Sequence, residues 1–373
     1  MKQHEFYMRK VLELAKKGWG MTNPNPLVGC IIVKDDKILA KGYHEKIGGN
    51  HAEVNAIKDL LHNKQDAKGA TLYVNLEPCS HYGKTPPCAN TLLKLGLKRV
   101  VIGMKDPNPI VCGRGIKILK NAGIEVISGV LEDECKSLNE IFINHITNKK
   151  PFVILKSAMT LDGKICTHTG DSKWITCQKS REAVHKVRDR VSAIMVGINT
   201  VLVDNPMLNV RMVKQRGKES VKIVIDSLGK LPLDCNLIKN IKNKDEVILV
   251  TTSKLSHKKQ EEYTKRGVLV LNVEGVDGKV DLKKLMDKLY ELSIDSILLE
   301  GGGTLNASAI DSGIVDKVMF FISPKIVGGK DAKTPVEGHG KDHIKDAINL
   351  CDITVKRFDE DILVEGLIKK EGV

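Results

Sequence analysis

His51-Ala52-Glu53, answered downstream by Pro78-Cys79-Ser-His-Tyr-Gly-Lys-Thr-Pro-Pro-Cys88, is the stretch from which the first half of this chain can be read. One imidazole and two thiols make three soft zinc ligands. Three protein ligands leave a fourth tetrahedral position for water, the catalytic rather than the structural arrangement. Glu53 is not needed as a ligand and can carry a proton between that water and a leaving amine. A closed site, with His81 as fourth ligand and Glu53 on a solvated helix face, is the competing reading. The surroundings favour the open one. From Ala52 to Leu61 the residues Val54, Ile57, Leu60 and Leu61 recur along one helical stripe, with His51 at its start. Pro86-Pro87 precede Cys88 and an apolar run from Ala89 to Leu95 that Gly96 ends, the proline-first, glycine-last asymmetry of a helix. Two helix N-termini would then converge on the metal, and their positive ends favour thiolate, the form that binds zinc.

Histidine, one residue, glutamate, then proline-cysteine is the pattern of the zinc-dependent deaminases of nucleobases and related pyrimidines. Eight residues separate Cys79 from Cys88, where the commoner pattern has two. Outward from this core, Glu5 to Lys17 has helical spacing of Met8, Val11, Leu12 and Ala15, and Gly18 stops it. Thr22-Asn-Pro-Asn-Pro26 can be neither helix nor central strand. Leu27 to Val33 and Lys37 to Tyr43 read as a hairpin through Asp35-Asp36. Ala70 to Leu76 is a strand that delivers Cys79. Strand Lys98 to Met104, helix Gly115 to Asn121, strand Ile124 to Ile127 and helix Leu131 to Ile146 follow. The result is an α/β sandwich over residues 1–147.

A linker, Thr147-Asn-Lys-Lys-Pro151, opens a second α/β series over residues 150–373. Its strands are expected at Phe152–Ala158, Ser192–Gly197, Val221–Asp226, Glu246–Thr251, Val268–Asn272, Ser296–Glu300, Lys317–Ser323 and Ile362–Ile368. Helices are expected at Lys179–Arg190, Gly197–Pro206, Asp281–Leu292 and Leu305–Ile310. Such alternation predicts a largely parallel sheet. Glu300 runs into Gly301-Gly302-Gly303-Thr304. A glycine run between strand and helix lets backbone N–H groups approach a diphosphate, although a turn without a ligand has the same composition.

Composition narrows the function. The 373 residues suffice for two domains, and 42% apolar residues can build both cores. No apolar run reaches membrane-spanning length and no signal-peptide core opens the chain, so no membrane partner is expected. Nine cysteines, two of them metal-ligand candidates, speak against a disulfide framework and for a reducing cytoplasm. The net charge of +13 comes from 49 lysines against ten arginines, spread along the chain, with only 4% aromatic residues. That is a solvated basic surface rather than a nucleic-acid platform, and one that would attract phosphorylated small molecules.

Three runs of the first half resemble the deaminase half of the bifunctional riboflavin-biosynthesis deaminase/reductase family: Thr22-Asn-Pro-Asn-Pro-Leu-Val-Gly-Cys30, Gly42-Tyr-His44 with Gly48-Gly-Asn-His-Ala-Glu53, and Asn75-Leu-Glu-Pro-Cys79 through Cys88. The long loop between the cysteines is similar to that family's own pattern. Leu155-Lys-Ser-Ala-Met-Thr-Leu-Asp-Gly-Lys-Ile165, Gly170-Asp-Ser-Lys-Trp-Ile-Thr176, Val196 to Arg211, and Leu298-Leu-Glu-Gly-Gly-Gly-Thr-Leu-Asn306 look like its reductase half. The resemblance covers nearly the whole chain. It implies a cytidine-deaminase-like α/β/α sandwich followed by a dihydrofolate-reductase-like α/β domain. It implies one zinc on His51, Cys79 and Cys88, Glu53 as proton shuttle, and Asn23 and His44 as contacts to a phosphoribosylaminopyrimidine. In the second half it implies NADPH contacts from Ala158, Trp174, Thr200, Asp204, Ser227 and the loop Gly302, Gly303, Thr304, Leu305, Asn306, Ala307 and Ser308. Substrate contacts would come from Ser172, Arg188, Leu208, Arg211 and Glu300. As fixed cationic forks, Arg188 and Arg211 suit a phosphate. A homo-oligomer is expected. A nucleoside or tRNA-base deaminase with an accessory domain, and a binding protein with a structural zinc, are the rivals.

Overall fold

The computed structural model describes residues 2–80, 87–109, 111–215 and 217–369. It divides into two units, Met1–Lys149 and Lys150–Val373. The first unit contains α1 (Lys2–Ala15), β1 (Gly29–Lys34), β2 (Lys37–Tyr43), α2 (Ala52–His62), β3 (Thr71–Leu76), α3 (Cys88–Leu93), β4 (Arg99–Met104), α4 (Arg114–Asn121), β5 (Glu125–Ser128), α5 (Glu132–Leu138) and α6 (Glu140–Asn148). Its sheet runs β2-β1-β3-β4-β5. The β1–β2 and β1–β3 pairs are antiparallel; β3–β4 and β4–β5 are parallel. Alternation along the strands sorts side chains to two faces. Cys30, Ile32, Leu72, Val74, Val100 and Ile102 pack with Ala56, Leu60, Leu92 and Leu119. Ile31, Val33, Tyr73 and Val101 pack with Met8, Val11, Leu12 and Cys135. Helices therefore cover both faces. The hairpin turns where expected, with Asp35 at φ 48° and Asp36 at φ 58°, the left-handed pair that a two-residue turn requires.

One predicted helix is two. The run from Leu131 to Ile146 breaks at Asn139, whose backbone leaves the helical region at φ −105°, ψ 20°. The buried Asn139 side chain is committed elsewhere. Its Oδ1 accepts from Leu27 N at 2.8 Å and its Nδ2 donates to Leu27 O at 3.1 Å. Asn75 adds Nδ2 to Leu27 O and receives Gly29 N on Oδ1, both at 2.8 Å. These two asparagines hold Leu27 and the start of β1. Helix α6 also runs into the expected linker, taking Thr147 and Asn148 with it.

The second unit contains β6 (Phe152–Thr160), α7 (Gln178–Arg190), β7 (Ala193–Gly197), α8 (Ile198–Asp204), β8 (Val221–Ile225), α9 (Asn236–Lys239), β9 (Val247–Thr251), α10 (His257–Lys265), β10 (Val268–Asn272), α11 (Leu282–Glu291), β11 (Ser296–Leu299), α12 (Gly303–Asp311), β12 (Lys317–Ser323), β13 (Leu350–Phe358) and β14 (Asp361–Ile368). Nine strands form one sheet in the order β10-β9-β8-β7-β11-β6-β12-β14-β13. It is parallel as far as β12 and antiparallel through β14 and β13. One face buries Val153, Leu155, Met195, Ile223 and Leu299 against Leu282, Leu285 and Leu289 of α11 and Ala309 of α12. Helix α7 is capped from a distance: the buried carboxylate of Asp361 accepts from Cys177 N at 2.7 Å and Ser180 Oγ at 2.6 Å. No helix among the described residues is long and apolar enough to cross a membrane.

Asn139→Ala leaves Leu27 N–H buried without its acceptor. A loss of about 1–3 kcal/mol in the unfolding free energy of the first unit is expected, to be checked by urea titration.

Candidate active sites

In the first unit three elements deliver three donors. His51 is the extended residue before α2, at φ −67°, ψ 160°, and makes no capping bond of its own. Cys79 follows β3 and Cys88 opens α3. Their ligand atoms all lie within 4.8 Å of one another. His51 Nδ1 stands 3.6 Å from Cys79 Sγ and 3.3 Å from Cys88 Sγ. Bond lengths of about 2.3 Å to sulfur and 2.1 Å to nitrogen put tetrahedral donors about 3.6–3.8 Å apart, so the set fits zinc with little adjustment. His81 lies outside the described residues.

The electrostatics already favour a cation. Cys88 Sγ, the His51 ring and Cys88 N–H, the last at 3.3 Å, bond to Cys79 and draw its thiol down to about 4 against the cost of burial. Cys88, which donates to that thiolate and is itself buried, is pushed up. A soft cation displaces the remaining proton. Glu53, one residue into α2, is 4% exposed. Burial pushes its carboxyl up to about 7. Helix α2 can bring Glu53 this close because Gly42 has no side chain; a Cβ there would collide with the α2 backbone at Ala52 and Ala56.

His44 is buried with its ring 5.9 Å from that of His51 and nearly perpendicular to it. Its Nδ1 donates to Asn50 O at 2.9 Å, so Nε2 is the acceptor for Asn25 Nδ2 at 3.2 Å. Burial lowers its basicity, and the ring is a neutral one. Asn23 lies half-buried two residues before Asn25. Sequence reasoning missed Asn25, which sits in the same Asn-Pro-Asn-Pro run. It also missed Glu77. That buried carboxylate accepts from Asp106 N, Gly113 N and Ile116 N at 3.2, 2.9 and 3.2 Å, fixing the loop and the start of α4 beside the Cys79 segment.

In the second unit the candidates gather at the carboxyl ends of the parallel strands, where open α/β sheets bind ligands. Glu300 follows β11. Arg188 of α7 grips it with Nε to Oε1 at 2.6 Å and Nη2 to Oε2 at 3.0 Å. Lys156 of β6 lies 3.8 Å from Oε2. Burial alone would raise the Glu300 carboxyl; Arg188 and Lys156 outweigh it and hold it at about 2. Arg188, expected to suit a phosphate, spends Nε and Nη2 on a carboxylate of the chain itself and donates Nη1 to Asn209 O at 3.2 Å. Arg211 is exposed, and its Nη1 donates to Asn209 Oδ1 at 3.0 Å. Lys156 and His185, whose Nδ1 accepts from Arg211 N at 3.2 Å, were not legible as site residues. Both look like ordinary strand and helix residues until the strand and α7 bring them to Glu300.

Gly302 precedes α12 without a side-chain cap, and a Cβ on it would meet nothing within 4 Å. Space is therefore open beside Gly302, just before the first turn of α12. Asn306 is fully buried and its Oδ1 has no hydrogen-bond partner among the described residues. Gly303 instead packs on residues 334–337, and Thr304 Oγ1 donates to Glu337 Oε2 at 2.9 Å. Leu305 packs at the core edge, Ala307 is buried and Ser308 is exposed. Ala158 sits in β6 opposite Phe321, and Thr200 and Asp204 lie on α8. Ser227 follows β8, its Oγ accepting from Val280 N at 3.3 Å. Leu208 is buried with φ 48°. Ser172 and the 59% exposed Trp174 lie in the loop after β6.

Residues 151–364 match the RibD C-terminal domain and residues 1–104 match the cytidine and deoxycytidylate deaminase zinc-binding region. A riboflavin biosynthesis protein RibD of Actinobacillus pleuropneumoniae is 51% identical over 97% of this chain and 94% of its own length. That of Escherichia coli K12 is 37% identical, over 92% and 94%. A Thermotoga maritima crystal structure, described as a diaminohydroxyphosphoribosylaminopyrimidine deaminase/5-amino-6-(5-phosphoribosylamino)uracil reductase, superposes with a TM-score of 0.87. It is 41% identical over 98% of this chain and 99% of that one.

His185 yields a pH prediction. Burial, then Arg188 and Arg211, hold it at about 4 against an ordinary 6.5. Between those values the unfolded chain binds the proton and the folded one does not. The corresponding stability is complete above about 6.5 and lost as pH falls toward 4. Over that window the stability of His185→Gln should decline less steeply than that of the parent, as read from urea midpoints at each pH.

Proposed function

The chain belongs to the RibD family of bifunctional deaminase/reductases of riboflavin biosynthesis, and from that premise we propose which residues carry each step. We assign residues 1–147 to the deaminase and 150–373 to the reductase. The deaminase removes an exocyclic amine hydrolytically from 2,5-diamino-6-(5-phosphoribosylamino)pyrimidin-4-one. His51, Cys79 and Cys88 would hold one zinc, which supplies Lewis-acid activation of water when bound. The observation that carries this reading is the set of three donors within 4.8 Å of one another, with the buried Glu53 carboxyl two residues after His51. A carboxyl so placed can both take a proton from water and return it to the nitrogen that leaves as ammonia. Asn25 and Asn50 hold the His44 ring in place beside His51, and we assign that ring and Asn23 to the wall that the substrate meets.

The reductase converts the ribosyl group of 5-amino-6-(5-phosphoribosylamino)uracil to ribityl. NADPH supplies the hydride when bound. The open turn at Gly302 would take its diphosphate, with Ala158, Trp174, Thr200, Asp204, Ser227 and residues 303–308 along its length. NADPH rather than NADH is the expected coenzyme. Glu300, ionised and gripped by Arg188 beside Lys156, presents an oriented charge to the ribosylamine. Arg211, exposed, is left as the cationic fork for the phosphate, with Ser172 and Leu208 beside it. For assembly the reading is a homo-oligomer, supported by the edge strand β13, where Ile353 and Val355 are in solvent. Nine free thiols support a reducing compartment.

Glu53→Gln keeps the shape but cannot accept the proton. Ammonia release should fall about a hundred- to ten-thousand-fold with zinc content unchanged. The same variant should still oxidise NADPH when given the deaminated substrate. Near-normal ammonia release would assign the shuttle to another group, and NADPH oxidation that fails on the deaminated substrate would place both steps in one site.

A further inference from the structure

Lys325 follows β12 and is exposed. Its Nζ nevertheless donates to two main-chain carbonyls far away in sequence, Trp174 O at 2.7 Å and Ile175 O at 2.9 Å. Its own carbonyl accepts from Leu161 N at 2.8 Å. Asp162 completes the tie from the adjacent parallel strand. Oδ1 accepts from Thr160 Oγ1 at 2.6 Å and Val327 N at 3.2 Å, and Oδ2 from Gly328 N at 2.7 Å. Ile165 N donates to Lys333 O at 2.9 Å and Lys164 Nζ to Ala332 O at 3.2 Å. The loops after β6 and β12 are thus laced together beyond the end of their strand ladder.

The laced loop needs such help. Between Leu161 and Cys177 there is no helix or strand, and Asp171, Lys173 and Trp174 are all exposed. Few apolar contacts anchor it. The Trp174 ring instead stacks beneath the Arg181 guanidinium at 4.6 Å, and Arg181 Nη1 donates to Thr176 O at 2.7 Å. The bonds from Lys325 fall on the turn itself, and a charged donor to carbonyl oxygens is among the stronger of such contacts.

We propose that Lys325 is a positioning residue of the reductase: by holding the Trp174 and Ile175 carbonyls it keeps the Ser172–Trp174 turn in the one conformation that receives coenzyme and substrate. This rests on the assignment of Ser172 and Trp174 to the reductase site. Lys325 itself touches no reacting atom. Glu300, Lys156 and Arg188 stand on other elements and do not depend on it. Its loss should therefore weaken binding by the cost of ordering the loop and leave the chemical step intact.

Lys325→Met keeps the aliphatic stem and removes the donors. In the full chain, KM for NADPH and for the deaminated substrate should each rise about tenfold, with kcat changed less than twofold. Trypsin should cut after Lys173 in the free variant, where the parent resists, and Lys325→Arg should restore both properties. Lys325→Gln, with one neutral donor, should fall between. Unchanged KM and unchanged trypsin resistance overturn the proposal. So does a fall in kcat at constant KM, which is the signature of lost folded protein. If instead Trp174→Ala leaves NADPH affinity unchanged while Lys325→Met still opens Lys173 to trypsin, the clasp stands and the assignment of the loop to the coenzyme fails.

Discussion

Three donor atoms within 4.8 Å of one another, from the end of one strand and the starts of two helices, are the constraint on which the first unit depends. No local segment can satisfy it. Strand β3 must deliver Cys79 beside α3, and α2 must cross β2 closely enough for His51 to reach both thiols. Gly42 permits that crossing, and Glu77 and Asn139 secure the surrounding loops through backbone bonds rather than apolar burial. The same crossing buries Glu53. Position and basicity of the proton carrier thus follow from one packing decision.

The second unit treats a buried carboxylate in the opposite way. Glu53 has burial as its dominant influence and is pushed up to about 7. Glu300 is nearly as buried, but a bidentate arginine and a lysine hold it at about 2. Burial dominates at the one group, and ion pairing keeps the other charged. Environment, not residue type, separates a carrier from a fixed charge. Arg188 and Glu300 are thus placed as a pair. An unpaired Glu300 carboxylate at that depth would cost several kcal/mol.

Much of this was legible in the sequence because the signals were local. The zinc ligands announce themselves by residue type and by the helix starts around them, and the central strand β6 opens on an apolar run, Phe152–Leu155. What escaped was set by tertiary contact. Strand β13 went unseen because most of its residues are exposed on both faces, so neither alternation nor an apolar run marks it. Helix α10 buries Tyr263 alone, leaving no stripe to read. The break at Asn139 follows from bonds to Leu27, more than a hundred residues earlier. Lys156, His185 and the closed fork of Arg188 share that origin: their chemistry appears only when α7, β6 and β11 meet.

The central claim is that the first unit holds zinc with three protein ligands and leaves a position for water beside Glu53. Zinc-edge X-ray absorption on the purified full chain tests it most directly. The account predicts one zinc per chain, with two sulfur scatterers at about 2.3 Å, one imidazole at about 2.0–2.1 Å and one further light oxygen scatterer. A second imidazole in that shell, lost on His81→Ala, would mean a closed structural site and would contradict it.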